Sequence, residues 1–238
     1  MCFSATASLS AAAVTTVIGV ASLRKVSVGR QIPLACIPLV FGVQQAIEGA
    51  HWLLLGRWPQ DTAVIFLLTN AFVALALVVW PLLMPVAVGL VEPLPSRRRV
   101  IFALLAAGLP AAIYMSVDAA DHPFTCTIVQ NSLSYTNYRP FPLLVVAAYF
   151  ASVGTPLLIS SQRALRAFGV IATIGLAISA LVRWYSFVSV WCFFSTLASA
   201  FVYLQLAQDA EHRNAATRIL QSVGSGAAIV RRLRAWLG

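Results

Sequence analysis

The residues best suited to chemistry interrupt one apolar stretch, residues 31–56. Gln44, Gln45, Glu48 and His51 are spaced so that a helix would place them on one face. Glu48 is the one acidic residue in the middle of a long apolar run. A carboxylate in hydrocarbon is costly and lipid cannot satisfy it. This polar face is therefore expected to point into a helix bundle and to mark a functional site.

Metal chemistry is one interpretation of these residues. Glu48 and His51 have the Glu-x-x-His spacing that metal ligands use on helices. Together with Cys2 or Cys192 they would bind a transition metal such as zinc or copper and activate water, as in a membrane-embedded metal-dependent enzyme. One Glu and one His alone leave such a site incomplete.

A pocket that binds or conducts a small solute, proton or cation is the second interpretation, because ionisable side chains at depth commonly mark such pathways. The side chains expected to line it are Gln44, Gln45, Glu48, Asn70, Arg183, Trp191 and Cys192. In the predicted topology Cys2, Glu48, His51, Asn70, Arg183 and Cys192 fall at similar depth in the outer half of the membrane. In a third interpretation, Glu48 pairs with Arg183 or with Gln and Trp N–H donors. It then only locks helices together.

The composition indicates a membrane protein. Of the 238 residues, 60% are hydrophobic and only 10% are charged, whereas a soluble domain has about 25% charged residues. Mean hydropathy is +0.87. The net charge of +9 does not indicate a nucleic-acid partner, because the basic residues lie at the ends of apolar runs and no recognition motif is present.

The apolar runs predict an all-α bundle of about seven transmembrane helices. The predicted spans are 6–23, 32–55, 63–90, 100–117, 142–160, 164–182 and 187–207, with a kink near Trp80 and Pro81. Alternate loops are rich in Lys and Arg, which predicts the N-terminus outside and the C-terminus inside. Residues 1–208 would form the membrane domain. Residues 209–238 would form a basic amphipathic cytoplasmic tail with a break at 224–226.

The longest outer loop, 118–141, is expected to be ordered. Phe124, Tyr135, Tyr138 and Phe141 can pack on the outer face of the bundle. Cys126 in this loop could pair with Cys2 in an oxidising compartment. No phosphate loop, serine-hydrolase or zinc-protease motif is present in the sequence.

Three sequence segments carry a family resemblance. The opening MCFSATAS, then IPLVFGVQQAIEG and SVWCFF, resemble an uncharacterised family of bacterial and archaeal integral membrane proteins. The resemblance spans nearly the whole chain. It implies that the family pattern includes Cys2, Gln44, Gln45, Glu48, Trp191 and Cys192. The chain departs from that pattern at Leu9, where the family has Phe, and at His51, where the family has another residue. The departure at His51 counts against an essential role for that imidazole.

From these features we expect a multi-pass protein of the bacterial inner membrane. Its function would be to bind or conduct a small solute, proton or cation at an outward-facing pocket around Glu48. Its partners would be the lipid bilayer and that solute, with a second copy or a larger membrane complex as further partners. The alternatives are the metal-dependent enzyme and an accessory structural subunit with no chemistry of its own.

Overall fold

The computed structural model describes residues 4–58, 62–137, 139–182, 191, 194, 196 and 198–237, with the backbone alone described for 219–237. Cys2, Arg183 and Cys192, three of the predicted site residues, lie outside the described residues, as does Tyr138. The first part of the predicted seventh span also lies outside them.

Eight α-helices and one β-hairpin make up the described chain. The helices are α1 (Ala5–Lys25), α2 (Ile32–Leu54), α3 (Ala63–Ala74), α4 (Trp80–Val91), α5 (Pro95–Asp121), α6 (Leu143–Ile159), α7 (Arg163–Val182) and α8 (Ala200–Leu237). A 3-10 turn, Gly29–Gln31, precedes α2, and one π-helical segment, Leu75–Val79, joins α3 to α4. The hairpin consists of β1 (Thr125–Val129) and β2 (Ser132–Thr136).

Among the described residues, five helical segments are long and apolar enough to cross a membrane, which confirms the predicted class of helical membrane protein. They are Ala5–Lys25, Gly29–Leu54, Ala63–Val91, Pro95–Asp121 and Arg163–Leu181. The apolar helix α6 is shorter, at 17 residues. The segment containing α2 has the largest buried share of the five, at 56%. The helix that carries the polar face is therefore also the most enclosed.

The irregularity predicted near Trp80 and Pro81 is present as the π-helical segment. Proline has no N–H, and its ring clashes with the carbonyl four residues earlier. The widened turn directly before α4 accommodates both effects. The Tyr149 hydroxyl donates a 2.6 Å hydrogen bond to the carbonyl of Ala76 within this segment. A side chain from α6 thus bonds to the irregular backbone and ties it to the bundle.

The long loop 118–141 is ordered, as predicted, and it forms the antiparallel hairpin. Gln130 and Asn131 connect the strands and have φ angles of 46° and 59°. Two consecutive positive φ values are typical of the type I′ turn, which matches the twist of a two-residue hairpin. In the resulting register Cys126 lies opposite Tyr135. We call this end of the bundle, where α2 ends and α3 begins, the hairpin end.

Helix α8 is anchored at the opposite end, which we call the Glu92 end. Gln31 is buried and its Nε2 donates to Asp209 Oδ2 at 3.1 Å, while Arg213 Nη2 donates to Gln31 Oε1 at 3.2 Å. The boundary expected at 208/209 therefore falls within one helix that packs on the bundle. The helix also continues through Gly224 and Gly226, so the predicted break there is wrong. Glycine weakens a helix by only about 1 kcal/mol and does not by itself end it.

The centre of the bundle is apolar and aromatic. Phe41 of α2 stacks on Trp80 of α4 with ring centroids 4.1 Å apart, and Phe168 of α7 lies 6.5 Å from Phe41. Helices α1 and α2 approach closely at Gly42, where an added Cβ would lie 2.7 Å from Thr16 Oγ1. Small residues at such contacts let membrane helices pack backbone against backbone.

Candidate functional site

The polar face of α2 points into the protein, as the sequence predicted. Gln44, Gln45, Glu48 and His51 are all 0% exposed. Their burial follows from the spacing, because positions three and four apart on α2 face the same neighbours, α3 and α4. Buried polar groups of this kind must be hydrogen-bonded within the protein.

The face divides between two environments. Gln45 Nε2 donates to Glu48 Oε2 at 3.0 Å, within the hairpin half of α2. Gln44 instead accepts a 2.9 Å hydrogen bond from Trp80 Nε1 in α4. Gln44 thus bonds to a ring of the aromatic centre.

His51 is held by groups from three elements. Its Nδ1 lies 3.0 Å from the carbonyl of Ile47, so we assign the ring proton to Nδ1, which donates to that oxygen. Its Nε2 then accepts from the Thr69 hydroxyl of α3 at 3.0 Å. The Tyr135 hydroxyl of the hairpin lies 3.4 Å from Nδ1. A metal would have to displace the Thr69 hydroxyl to reach the imidazole lone pair.

The hairpin covers the C-terminal end of α2. Tyr135 stacks flat on Phe72 of α3 with ring centroids 4.0 Å apart and meets the His51 ring edge-on at 5.6 Å. Cys126, across the strand pair from Tyr135, carries a free thiol and is 2% exposed. Gln45, Glu48, His51, Thr69, Cys126 and Tyr135 together form what we call the hairpin-end cluster.

The Cys126 thiol is strongly shifted towards its neutral form. Burial raises its pKa to about 12, the hydrogen bond with Tyr135 opposes that rise, and the negative charge of Glu48 adds to it. The structure places Cys126 opposite Tyr135, whose hydroxyl lies 3.4 Å from His51 Nδ1, whereas the sequence had considered Cys126 for a disulfide with Cys2, a residue outside the described part of the chain.

We expect native Cys126 to react with maleimide at neutral pH far more slowly than an ordinary thiol. The reactive species is the thiolate, and a rise in pKa from 9.0 to about 12 lowers its population by about 1,000-fold at neutral pH. The measurement is the labelling rate of a Cys2→Ser, Cys36→Ser, Cys192→Ser variant, before and after unfolding in detergent. A matched control replaces Cys126 by Ser and the exposed Thr136 by Cys in the neighbouring strand, where labelling should be rapid. Rapid labelling of native Cys126 would contradict the enclosed geometry.

A cavity opens beside the cluster. It has a volume of about 500 Å³ and lies between the start of α3 and the segment 123–126 that leads into β1. Thr69 and Cys126 both line it; Thr69 bonds to His51, and Cys126 lies opposite Tyr135 in the hairpin. Thr69 therefore separates this hairpin-end cavity from the His51 imidazole, and Glu48 lies one turn earlier on the same face of α2.

Two other predicted site residues lie elsewhere. Asn70 Nδ2 donates to the carbonyl of Phe66 on its own helix, and the side chain lines a separate groove of about 300 Å³ shared with α5. Trp191 Nε1 donates to the carbonyl of Ala172 at 3.0 Å, and its ring lies 5.8 Å from that of Phe150. Both residues were predicted to line the pocket around Glu48, but neither joins the hairpin-end cluster.

The predicted metal ligands are only partly described. Glu48 and His51 belong to one cluster, while Cys2 and Cys192 lie outside the described residues. Within the part of the chain that the structure describes, no group of three or more His, Cys, Asp or Glu residues is arranged to hold a metal ion.

A comparison with protein families now places the chain. A model described as "Family of unknown function (DUF6629)" matches residues 1–218. The chain belongs to this family. The match confirms the resemblance to an uncharacterised family, includes the whole hairpin-end cluster and assigns no activity to it. No curated protein and no solved structure matches the chain.

Sequence reasoning missed a second buried carboxylate in this DUF6629 chain. Glu92 ends α4 at the Glu92 end of the bundle and is 2% exposed. Its Oε2 accepts from Ser160 Oγ at 3.0 Å and from the Ser161 amide at 2.9 Å, and its Oε1 accepts from Ser161 Oγ at 2.6 Å. In the sequence, Glu92 directly follows the apolar run that ends at Val91, so it resembles an ordinary loop residue. The polar segment Ser-Ser-Gln at 160–162, between two later apolar runs, was the one sequence feature that suggested partners for it.

Glu92 is held in its charged form by these donors. Burial by itself raises its pKa, but the hydrogen bonds from Ser161, the Leu94 amide and Ser160 outweigh that effect and lower the pKa below its usual value. The carboxylate bonds to the loop that joins α6 to α7. Gln162 Nε2 adds a 2.8 Å bond to the carbonyl of Val91. This arrangement fastens three helix ends together, so we assign Glu92 to the framework of the fold.

Proposed function

We propose that the protein binds or conducts a small polar solute, proton or cation at the hairpin end, with Glu48 as the charge that titrates. The observation that carries this proposal is a fully buried carboxylate one helical turn from His51, whose hydrogen-bond partner Thr69 lines a cavity of about 500 Å³. An ionisable side chain enclosed in a membrane protein next to an opening is typical of such pathways. His51 and Tyr135 supply further groups that can donate or accept a proton there.

We further propose that the hairpin end faces the outside of a bacterial inner membrane and the Glu92 end faces the cytoplasm. The loops at the Glu92 end carry Arg24, Lys25 and Arg30, then Arg97, Arg98 and Arg99, then Arg163 and Arg166. At the hairpin end, the only Lys or Arg in residues 55–62 is Arg57, and the only one in residues 118–142 is Arg139. An excess of basic residues in short loops is typical of the cytoplasmic side. In this orientation the hairpin-end cavity would admit solutes from outside.

Glu48→Gln tests the proposal, with the proton as the first probe. Glutamine keeps the size of the side chain and can still bond to Gln45, so we expect the variant to fold. In purified protein, the infrared band of a protonated carboxyl that changes with pH should lose the Glu48 component. In liposomes with a trapped pH-sensitive dye, proton entry after an acid pulse should fall to the level of empty liposomes. Sodium and potassium are then tested by the rise in Tm that a bound cation produces.

Asp121→Asn is the matched control, because it removes one carboxyl from the exposed end of α5 without touching the cluster. It should retain the Glu48 band and the wild-type response to protons and cations. If Glu48→Gln folds and matches wild type in the infrared, flux and cation measurements, the binding proposal fails.

In that case the helix-locking interpretation is favoured. One observation already supports it as a second candidate. Gln44 bonds to Trp80, Gln45 to Glu48 and His51 to Thr69, so internal hydrogen bonds link α2 to α3 and α4. A membrane protein with this role would be an accessory subunit, alone, with a second copy or in a larger complex. The metal-dependent enzyme depends on Cys2 and Cys192, and its test is elemental analysis of protein purified without chelators.

A further inference from the structure

An apolar cavity of about 160 Å³ lies in the centre of the bundle, away from the hairpin-end cluster. It is enclosed by α2, α4, α6 and α7, and Trp191 closes one side. Five aromatic rings form most of its wall: Phe41, Trp80, Phe150, Phe168 and Trp191. We call it the aromatic cavity. It uses no residue of the hairpin-end cluster, so an inference about it is independent of the function proposed above.

Three polar side chains on the wall of the aromatic cavity have hydrogen-bond partners, and the Thr155 hydroxyl is one further polar group among the described lining residues. The indole N–H of Trp80 donates to Gln44, and that of Trp191 donates to the carbonyl of Ala172. The hydroxyl of Thr173 donates to the carbonyl of Gly169 at 2.8 Å. An indole has a single donor, so neither tryptophan has a second hydrogen bond to offer. Apart from the Thr155 hydroxyl, what the wall presents to an occupant is therefore hydrocarbon and aromatic surface.

The size of the aromatic cavity suits a hydrocarbon segment. Apolar cavities of about 150 Å³ in proteins stay dry and bind benzene or xenon, because water finds no hydrogen-bond partners in them. When the cavity is empty, its lining atoms lack the dispersion contacts that they would make with an occupant. A chain of methylene groups that entered this space would recover those contacts without leaving a polar group unpaired.

The aromatic cavity is bordered by the outer surface of α6. Leu158 lines the cavity and is also 38% exposed on the outside of the bundle. Gly154, one turn earlier on the same face, lines it too, and an added Cβ there would meet no atom within 4 Å. Both residues lie within the apolar helix α6. In a bilayer, the apolar outer surface of this helix would meet lipid acyl chains, which are present there at very high local concentration.

We propose that the aromatic cavity is a binding site for the hydrocarbon chain of a bilayer lipid, which enters over Gly154 and packs against Trp80. The ligand is apolar over the buried part of its length, since the described wall is hydrocarbon and aromatic surface apart from the Thr155 hydroxyl. The headgroup stays outside the cavity. Trp80 is only 3% exposed, so a chain reaches its ring through the cavity and not from the outer surface of the bundle.

The test measures the fluorescence of Trp80 in vesicles of phosphatidylcholine with brominated acyl chains. Trp80 is kept as the single tryptophan by replacing Trp52, Trp58, Trp184, Trp191 and Trp236 with Phe. Bromine quenches an indole only at close contact. We expect the emission in brominated vesicles to be about half that in unbrominated vesicles, because a chain packed against the ring is within contact distance. Added benzene should compete for the space and restore the emission.

Variants with a larger side chain that fills the cavity give the decisive test. Gly154→Leu should abolish the quenching of Trp80, and Gly154→Ala should reduce it by an intermediate amount. Gly56→Leu adds the same side chain in the turn after α2, outside the cavity and with no atom within 4 Å of the new Cβ, and should leave the quenching unchanged. Absence of quenching in the single-tryptophan protein would overturn the proposal. Equal quenching in a folded Gly154→Leu variant would overturn it too, and benzene-sensitive emission without bromine quenching would show a site for free aromatic molecules instead.

Discussion

Replacing Glu92 with alanine should lower the free energy of unfolding by about 3 kcal/mol or more, since hydrogen bonds to a charged group contribute about 1.5–3 kcal/mol each. The carboxylate is 2% exposed and accepts bonds from the Leu94 amide, the Ser161 amide and the hydroxyls of Ser160 and Ser161. Its loss leaves these donors without their acceptor where α4, α5, α6 and α7 meet. The measurement is equilibrium unfolding of the purified protein in mixed detergent micelles.

Glu211→Ala is the matched control for this prediction. Glu211 is an exposed residue of α8, and an exposed substitution of this kind usually changes stability by less than about 0.5 kcal/mol. An equally small effect of Glu92→Ala would mean that the donors at 160–161 find other partners at no cost.

The stabilisation by Glu92 should also depend on pH. The folded-state pKa of Glu92 is lowered from 4.5, so its contribution is fully present above 4.5. It is lost progressively as the pH falls below 4.5 and through the folded-state pKa. Glu92→Gln should therefore be less stable than wild type at neutral pH and should lose less stability on acidification. Parallel stability curves for the two proteins between pH 6 and about pH 3 would contradict this assignment.

Gly169→Ala should destabilise the contact between α6 and α7 by about 1–3 kcal/mol, the usual cost of overpacking. A Cβ at Gly169 would lie 2.8 Å from Leu157 Cβ and 3.1 Å from both the Leu157 carbonyl carbon and the Leu158 nitrogen. Two of these three atoms belong to the backbone, so no side-chain rotation can relieve the clash. The two helices would have to separate, and α7 would lose part of its packing. The checking measurement is Tm in detergent, together with the unfolding free energy.

Gly154→Ala is the control for this second prediction, because the same substitution on the neighbouring helix α6 meets no atom within 4 Å. Alanine has the higher helix propensity, so this variant should be at least as stable as wild type. If the two substitutions have the same effect on stability, the close approach at Gly169 is not a determinant of the fold.

The sequence by itself determined that this is a helical membrane protein and that the polar face of α2 points into the bundle. Long apolar runs in the chain predict membrane-spanning helices because the hydrocarbon core sets their length. The spacing of Gln44, Gln45, Glu48 and His51 predicts one buried face because the helix repeat is fixed at 3.6 residues per turn. Both predictions rest on local geometry. The structure confirms them with five segments long enough to span and four fully buried side chains.

The tertiary structure alone decided which buried groups meet. Sequence spacing gives depth along a helix axis, but the order of helices around the bundle depends on packing between residues far apart in the chain. For that reason Asn70 and Trp191, both predicted to line the pocket around Glu48, lie in other environments, and Gln44 bonds to Trp80. Packing between distant parts of the chain also brings Tyr135 next to His51, 84 positions away in the sequence. It likewise places Glu92 where its carboxylate accepts hydrogen bonds from the loop at 160–161. A polar group in an apolar interior takes whichever partner the packing brings within reach, and the periodicity of one helix does not contain that information.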